Sequence, residues 1–357
     1  MKVLVTGIDG YIGSVLGPYL TKAGYDVTGL DTGYYRSGLL FEDGANRPAI
    51  LNKDIRLVDE SDLAGFDAVV HLAELSNDPL GAHRPQITYD INFRGSMKLA
   101  ETAKAAGVKR FVYASSCSVY GVGGEEIKTE TSAVNPQTAY ADCKIRCEQR
   151  LSELCDKNFV TTYLRNSTAF GASPRMRFDI VLNNLAGLAW TIKKIAMTSD
   201  GTPWRPLVHI LDISQAVELV LAAPEDAVRG EVFNVGDESQ NYQVREIAEI
   251  VASKFAGCTT SFGAPDADNR SYKVSFAKIK KHLPNFKCQW SADRGADQLA
   301  RLFDRIGMTP EIFTAPPFTR LKQLSLLIKT GLIDDEFYWT NLQADEKKST
   351  LREAAEA

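Results

Sequence analysis

Residues 2–31 read KVLVTGIDGYIGSVLGPYLTKAGYDVTGLD. Val3, Leu4 and Val5 form an aliphatic run, as expected of a buried parallel strand. Gly7, Gly10 and Gly13 follow at G-x-x-G-x-x-G spacing, and Ile12, Val15, Leu16 and Leu20 then recur at helical spacing. Val27, Gly29 and Leu30 make a second strand that ends in Asp31. Gly7 permits a tight turn, Gly10 lets the backbone approach a pyrophosphate, and Gly13 lets the helix pack on the strand. The free N–H groups and dipole of the helix start then face the phosphates of a dinucleotide. Asp31 lies 18 residues after Gly13. Its carboxylate can accept hydrogen bonds from both hydroxyls of an adenosine ribose and would repel a 2′-phosphate, which favours NAD over NADP. Arg36 is close by, and an arginine there can accommodate that phosphate. A glycine triplet alone is weak evidence; the strand before it and the helix after it supply the confirming context.

Outward from this unit, strands and helices alternate. Arg47–Leu57 is expected to hold a strand ending in Asp54-Ile55-Arg56, and Asp67–Leu72, Lys109–Ser115 and Val160–Arg165 read as further strands. Residues 84–107 and 138–157 read as long helices between them. This pattern predicts a Rossmann-type, doubly wound parallel α/β sheet with ligands at the carboxyl ends of the strands. After about residue 166 the alternation loosens. Helices are expected at Asn183–Thr191, Asp212–Leu221 and Val244–Phe255, and a strand at Val232–Val235. The expected division is an NAD-binding domain over 1–165 with returning segments from about 207–240, a smaller substrate-binding domain mainly over 166–305, and a C-terminal helical extension over 306–357. In that extension Ala315-Pro316-Pro317 breaks any helix. Leu321, Leu324, Leu327 and Ile328 then form an apolar stripe, read either as a docked helix or as part of an oligomer contact. The last residues, ADEKKSTLREAAEA, read as a solvated or frayed helix.

Composition narrows the class. Hydrophobic residues make up 44% and charged residues 24% of the 357, ordinary for a soluble globular protein. The net charge of −4 implies no basic face for nucleic acid, and no apolar run reaches membrane-spanning length. The sequence enters its first strand directly, so no secretory leader is expected. Cys117, Cys143, Cys147, Cys155, Cys258 and Cys288 form no C-x-x-C pair. They are expected to be free thiols in a reducing cytoplasm, with no metal site.

Tyr140-Ala141-Asp142-Cys143-Lys144 places a phenol and an ammonium at i and i+4, on one helix face. An ammonium nearby favours the phenolate, giving a base able to take a hydroxyl proton as hydride leaves the adjacent carbon, and to return it. Taken alone, Y-x-x-x-K is common by chance, and a surface Tyr beside a surface Lys is the ordinary reading. Here it lies one βα unit beyond Ser115-Ser116, downstream of a dinucleotide-binding pattern.

With these motifs in place, the chain resembles the extended short-chain dehydrogenase/reductases, in the group of NAD-dependent sugar-nucleotide epimerases and dehydratases. The likeness spans residues 1 to about 305. It rests on TGIDGYIG at 6–13, Asp31, Asp54-Ile55-Arg56, HLA at 71–73, Asn92 with Gly95, SSCSVYG at 115–121 and YADCK at 140–144. It continues through LRNSTAFG at 164–171, DGTPWRPLVHILD at 200–212, FNVG at 233–236 and Arg270 before Tyr272. The resemblance implies NAD held by Gly7, Gly10, Tyr11, Ile12, Gly13, Asp31, Asp54, Ile55, Leu72, Ala73 and Asn92, together with Tyr140 and Lys144. It implies catalysis by Ser116, Tyr140 and Lys144, with Ser116 holding the sugar hydroxyl. Ser118, Thr168, Arg205 and Arg270 are the implied substrate contacts. After the HLA strand, Ser76, Asn77 and Asp78 are candidate hydroxyl ligands or, equally, a capped turn before the next helix. His71 and His209 are expected to be structural. A homodimer paired through helices 84–107 and 138–157 is also implied.

Departures from the family pattern bear on the reaction. Ser116-Cys117-Ser118 stands where 4,6-dehydratases carry Thr-Asp-Glu, which removes the acid pair that dehydration needs. Thr168 replaces the usual Asn of LRxFNxYG, and Pro206 the usual Asp after Arg205. The reading is a cytoplasmic, NAD-dependent sugar-nucleotide epimerase acting through a transient 4-keto sugar. Rivals are an NAD(P)H-dependent 4-keto sugar-nucleotide reductase, a C3/C5 epimerase using Cys117 as acid/base, and a non-catalytic dinucleotide-sensing protein.

Overall fold

Seven parallel strands make the central sheet of the computed structural model, which describes residues 1–76, 84–264 and 270–341. They are β1 (Lys2–Thr6), β2 (Asp26–Asp31), β3 (Ala49–Asn52), β4 (Ala68–His71), β5 (Arg110–Ser116), β6 (Val160–Asn166) and β7 (Val232–Val235). Their spatial order is β7-β6-β5-β4-β1-β2-β3, so the direction of winding reverses at β1, the topological switch point of a doubly wound sheet. A strand alternates its side chains, so a buried parallel strand must be apolar on both faces. In β1, Val3 and Val5 join the cluster containing Leu16 and Leu20 of α1 (Gly13–Lys22), whereas Leu4 joins that of Leu99 and Ala103 of α2 (Ser96–Ala105) and Leu151 of α3 (Ala139–Leu154).

The chain leaves the sheet after β6 and forms a second packed body. Here α4 (Val181–Thr191), α6 (Val244–Lys254) and α7 (Ala292–Arg305) bury Leu182, Ile247, Leu299 and Phe303 against one another. A small sheet pairs Trp204–His209 with Thr168–Phe170 in parallel and with Asn241–Gln243 antiparallel. Between these pieces α5 (Ile210–Ala222) returns to the central sheet, where Ile213, Val217 and Val220 cover the face opposite α2 and α3. The C-terminal stripe lies on α8 (Arg320–Lys329), and it is docked: Leu324 and Leu327 are buried with Leu30, Tyr34 and Ile55 of the first half.

Two expected elements differ from the structure. The strand in 47–57 ends at Asn52; Asp54 caps a 3₁₀ turn over Ile55–Leu57, accepting the Arg56 N–H at 2.8 Å and pairing with its guanidinium at 2.7 Å. A carboxylate that captures its own downstream backbone competes with the strand ladder. The helix expected over 84–107 contains a wide π-helical segment at Tyr89–Gly95 between Pro85–Thr88 and α2. That segment carries Asn92, whose Oδ1 accepts the Leu75 N–H at 2.8 Å while its Nδ2 donates to the Leu75 carbonyl at 3.0 Å. The six cysteines are free thiols, and among the described residues no helix is long and apolar enough to cross a membrane.

Candidate active site

Strand ends bring the site together. Thr6 closes β1, Asp31 closes β2, Ser116 closes β5 and Asn166 closes β6, with Ser116 in register opposite Asn166. Asp31, Ser116 and Asn166 border a cavity of about 460 Å³ that also takes in residues of the second body.

The glycine turn forms one wall. Gly7 has φ +74°, and a Cβ on Gly13 would lie 2.1 Å from the Gly7 carbonyl oxygen, so only glycine lets α1 sit this close to β1. Among the described residues the N–H groups of Tyr11 and Ile12 meet no acceptor, and they precede α1, where a phosphate is favoured. This cradle and its donors fit a dinucleotide. Asp31 accepts the Asp9 N–H at 3.0 Å and the Gly33 N–H at 2.7 Å, and burial pushes its carboxyl up. Arg36 is engaged elsewhere: its Nε meets Asp9 Oδ2 at 3.0 Å, it also bonds Asn52, and Arg175 meets the same Asp9 at 3.2 Å. A second acid beside Asp31, itself holding Arg36, opposes a 2′-phosphate. NADP is therefore expected to bind roughly 10²- to 10³-fold more weakly than NAD, which competitive displacement titration checks.

The residues expected to be catalytic sit on α3 and β5. Thr138 caps α3 by accepting the Ala141 N–H at 3.2 Å, which fixes Tyr140 in the first turn and Lys144 one turn on. Lys144 Nζ lies 5.3 Å from the Tyr140 ring centroid. It also donates to the Ala114 carbonyl and pairs with Glu74 Oε2 at 2.7 Å, both side chains being almost wholly buried. Tyr113 donates to Glu74 Oε1 at 2.6 Å. Burial works against the Lys144 charge, but Glu74 foremost, with Tyr140 and Cys147, offsets it and raises the ammonium above the usual lysine range. Burial likewise raises the Glu74 carboxyl, against the pull of Lys144 and Tyr113. Ser116 Oγ accepts the Ser118 N–H at 3.1 Å, leaving its own proton for the cleft. Ser118 Oγ and Asn166 Oδ1 are buried, line the cavity and have no hydrogen-bond partner among the described residues.

Of the residues expected in the site, Gly7, Gly10, Tyr11, Ile12, Gly13, Asp31, Asp54, Ile55, Leu72, Ala73, Ser76, Ser116, Ser118, Tyr140, Lys144, Thr168, Arg205 and Arg270 all line this cavity. Asn92 does not; it stands behind the wall and holds the chain at Leu75. Asn77 and Asp78 lie outside the described residues. Ser76 Oγ accepts Arg177 Nη1 at 2.9 Å, and Arg205 Nη1 donates to the carbonyls of Trp204 and Arg270. His71 bridges Thr6 and Ser96 at 2.7 Å on either side, and burial depresses it to about 3. His209 caps α5 and stacks on Trp290, and burial depresses it to about 4. Glu74, Asn166, Arg177, Asp179 and Arg320 also line the cavity and were not singled out from sequence. An acidic residue directly after HLA was the one visible signal, for Glu74.

The comparisons with known proteins point the same way. The family model described as the NAD dependent epimerase/dehydratase family matches residues 3–236. UDP-glucose 4-epimerase of Bacillus subtilis is 27% identical over 332 residues, 84% of this chain and 94% of that protein. UDP-glucose 4-epimerase of Lactobacillus helveticus is 30% identical over 280 residues, 72% of this chain and 82% of that protein. Among solved structures, MoeE5 in complex with UDP-glucuronic acid and NAD superposes with a TM-score of 0.73 at 25% identity, covering 85% of this chain and 99% of that one. A glycine turn, a Tyr–Lys helix and a reversing parallel sheet occur together in a chain whose first two-thirds match that model, and the chain belongs to the NAD-dependent epimerase/dehydratase family.

Proposed function

We propose that this protein is an NAD-dependent sugar-nucleotide 4-epimerase, with a uridine diphosphate hexose as the substrate class that its named relatives suggest. The carrying observation is that Ser116, Tyr140 and Lys144 border the same cavity as the glycine turn, with Ser118 Oγ and Asn166 Oδ1, which have no partner among the described residues, on its wall. Glycine-turn N–H groups, Asp31, and Leu72 with Ala73 would hold the cofactor, and Lys144 would reach its ribose. Bound NAD supplies the hydride acceptor and donor. Ser116 Oγ hydrogen-bonds the reacting sugar hydroxyl, and Tyr140 Oη takes its proton. The Lys144 ammonium stabilises the phenolate through the charge that also faces Glu74. Ser118 Oγ and Asn166 Oδ1 can then receive neighbouring sugar hydroxyls, and Thr168 with Ser76 borders the same space. The oxidised sugar must present its opposite face before Tyr140 returns the proton, so anchoring has to fall on the nucleotide end; Arg205 and Arg270 are assigned to its phosphates.

The test is incubation with a panel of uridine diphosphate hexoses without added nicotinamide, reading product by NMR and retained cofactor by mass spectrometry. Formation of the C4 epimer with no net NADH absorbance change is expected. Consumption of added NADH with a keto-sugar and no epimer would establish the reductase instead. Cys117 is poorly placed for C3/C5 chemistry. It does not line the cavity, its Sγ donates to the Arg165 carbonyl at 3.1 Å, and burial pushes its thiol up to about 12. Cys117→Ala is expected to keep turnover within about threefold, and solvent deuterium is not expected in any sugar C–H. The proposal extends to a homodimer paired through the helices in 84–107 and 138–157, supported by the family resemblance, and to a cytoplasmic location, supported by the six free cysteines. Light scattering tests the former.

A further inference from the structure

One buried charge in the cleft is unaccounted for by the mechanism. Arg320, the first residue of α8, lies beyond the span of the family match, yet its side chain lines the cavity and the residue is 4% exposed. Its guanidinium stacks on Tyr35, 3.9 Å from the ring centroid. Its Nη1 donates to the Pro317 carbonyl at 3.4 Å, and among the described residues that long bond is the only one its five donors make. Its neighbour Arg177 is better satisfied. Arg177 Nε meets Asp179 Oδ1 at 2.9 Å, and its two terminal nitrogens hold the Ser76 hydroxyl at 2.9 Å and the Ser76 carbonyl at 3.0 Å. Asp179, paired with the Arg177 guanidinium, also accepts the Arg320 backbone N–H at 3.3 Å. Burial, then the Arg177 charge, lowers Arg320 to about 10. A guanidinium that borders the cavity while the rest of its side chain is buried, and that makes one long bond among the described residues, favours an anion there.

Its neighbours locate that anion. Arg320 stacks on Tyr35, four residues after Asp31, and both line the same cavity as Gly10, Tyr11 and Ile12 of the glycine turn and as Tyr140. A dinucleotide bound from Asp31 to Tyr140 carries its diphosphate between those ends. The rest of the C-terminal segment braces the same loop: Gln323 Nε2 donates to the Tyr34 carbonyl at 2.9 Å, and Trp339 Nε1 to the Thr32 carbonyl at 2.7 Å.

We infer that Arg320 is a diphosphate-binding residue, so that the C-terminal segment completes the cofactor site opposite the glycine turn; this rests on the NAD reading above. A diphosphate also occurs in the sugar nucleotide, and the proposal assigns Arg320 to that of the dinucleotide. The test is calorimetric titration of the full-length protein, freed of nucleotide, with ADP-ribose, UDP and adenosine. For Arg320→Met the ADP-ribose Kd is expected to rise roughly tenfold to a hundredfold, with UDP and adenosine each within about threefold of wild type. Arg320→Lys, which keeps charge and stem, is expected to lose less, and it carries the test if the methionine variant does not fold. Unchanged ADP-ribose binding in both variants, an equal loss for adenosine, or a larger loss for UDP overturns the inference. Failure of the wild type to bind ADP-ribose at all overturns the NAD reading along with it, and is told apart by that control.

Discussion

Tyr140→Phe is expected to lower turnover by about 10³-fold while leaving cofactor retention intact, because a positioned acid/base contributes on that order and the ring itself is kept. The phenol is the one group of the proposed set whose loss removes the proton route without removing a charge from the fold. Tyr140 sits in the first turn of a capped helix, with Lys144 Nζ 5.3 Å from its ring centroid. Single-turnover measurement separates the cases. If hydride transfer to the retained cofactor, read by its absorbance, proceeds at the wild-type rate in the variant, the assignment of Tyr140 as base fails.

The second large effect concerns Lys144 and Glu74. Removing one member of a buried ion pair strands the other, at a cost of about 3–5 kcal/mol, whereas replacing both with neutral groups of similar shape is often near neutral. Lys144→Met is therefore expected to destabilise the protein by about that amount and also to abolish turnover. Glu74→Gln combined with Lys144→Met is expected to recover most of the stability, since the introduced amide oxygen can still accept the Tyr113 hydroxyl that Glu74 accepts at 2.6 Å. Turnover is expected to stay lost, because the ammonium that supports the phenolate is still missing. Chemical denaturation with an epimerisation assay on the wild type, the two single variants and the double variant checks both halves. Recovered activity in the double variant would show that the lysine is needed only to neutralise Glu74.

Much of this molecule was legible in the sequence because its signals are local. The glycine spacing, the aliphatic run of β1 and the acid ending β2 report backbone demands met within a few residues. The Tyr–Lys pair needs only the pitch of one helix. Short-range competition already blurred the reading elsewhere. Asp54 captures the backbone of Arg56 and ends a strand early, and Asn92 belongs to a helix that widens to pin Leu75. Whether the stripe at Leu321–Ile328 docks or pairs with a second chain was likewise open, since an apolar face does not name what covers it; Leu324 and Leu327 cover the Leu30 and Ile55 side of the sheet.

Spacing along a single strand, turn or helix was enough to specify the parallel α/β sheet, its dinucleotide turn and the placing of Tyr140 and Lys144 one turn apart on a helix. Folding in three dimensions was needed to set Glu74 against Lys144, to give Arg36 to Asp9, to turn Cys117 away from the cleft, and to bring Arg320 into it from the C-terminal segment. Those relations join residues from 27 positions apart, for Asp9 and Arg36, to 285 apart, for Tyr35 and Arg320. The sheet order and the packing of the second body fix which side chains share a low-dielectric space, and no local pattern records that sharing.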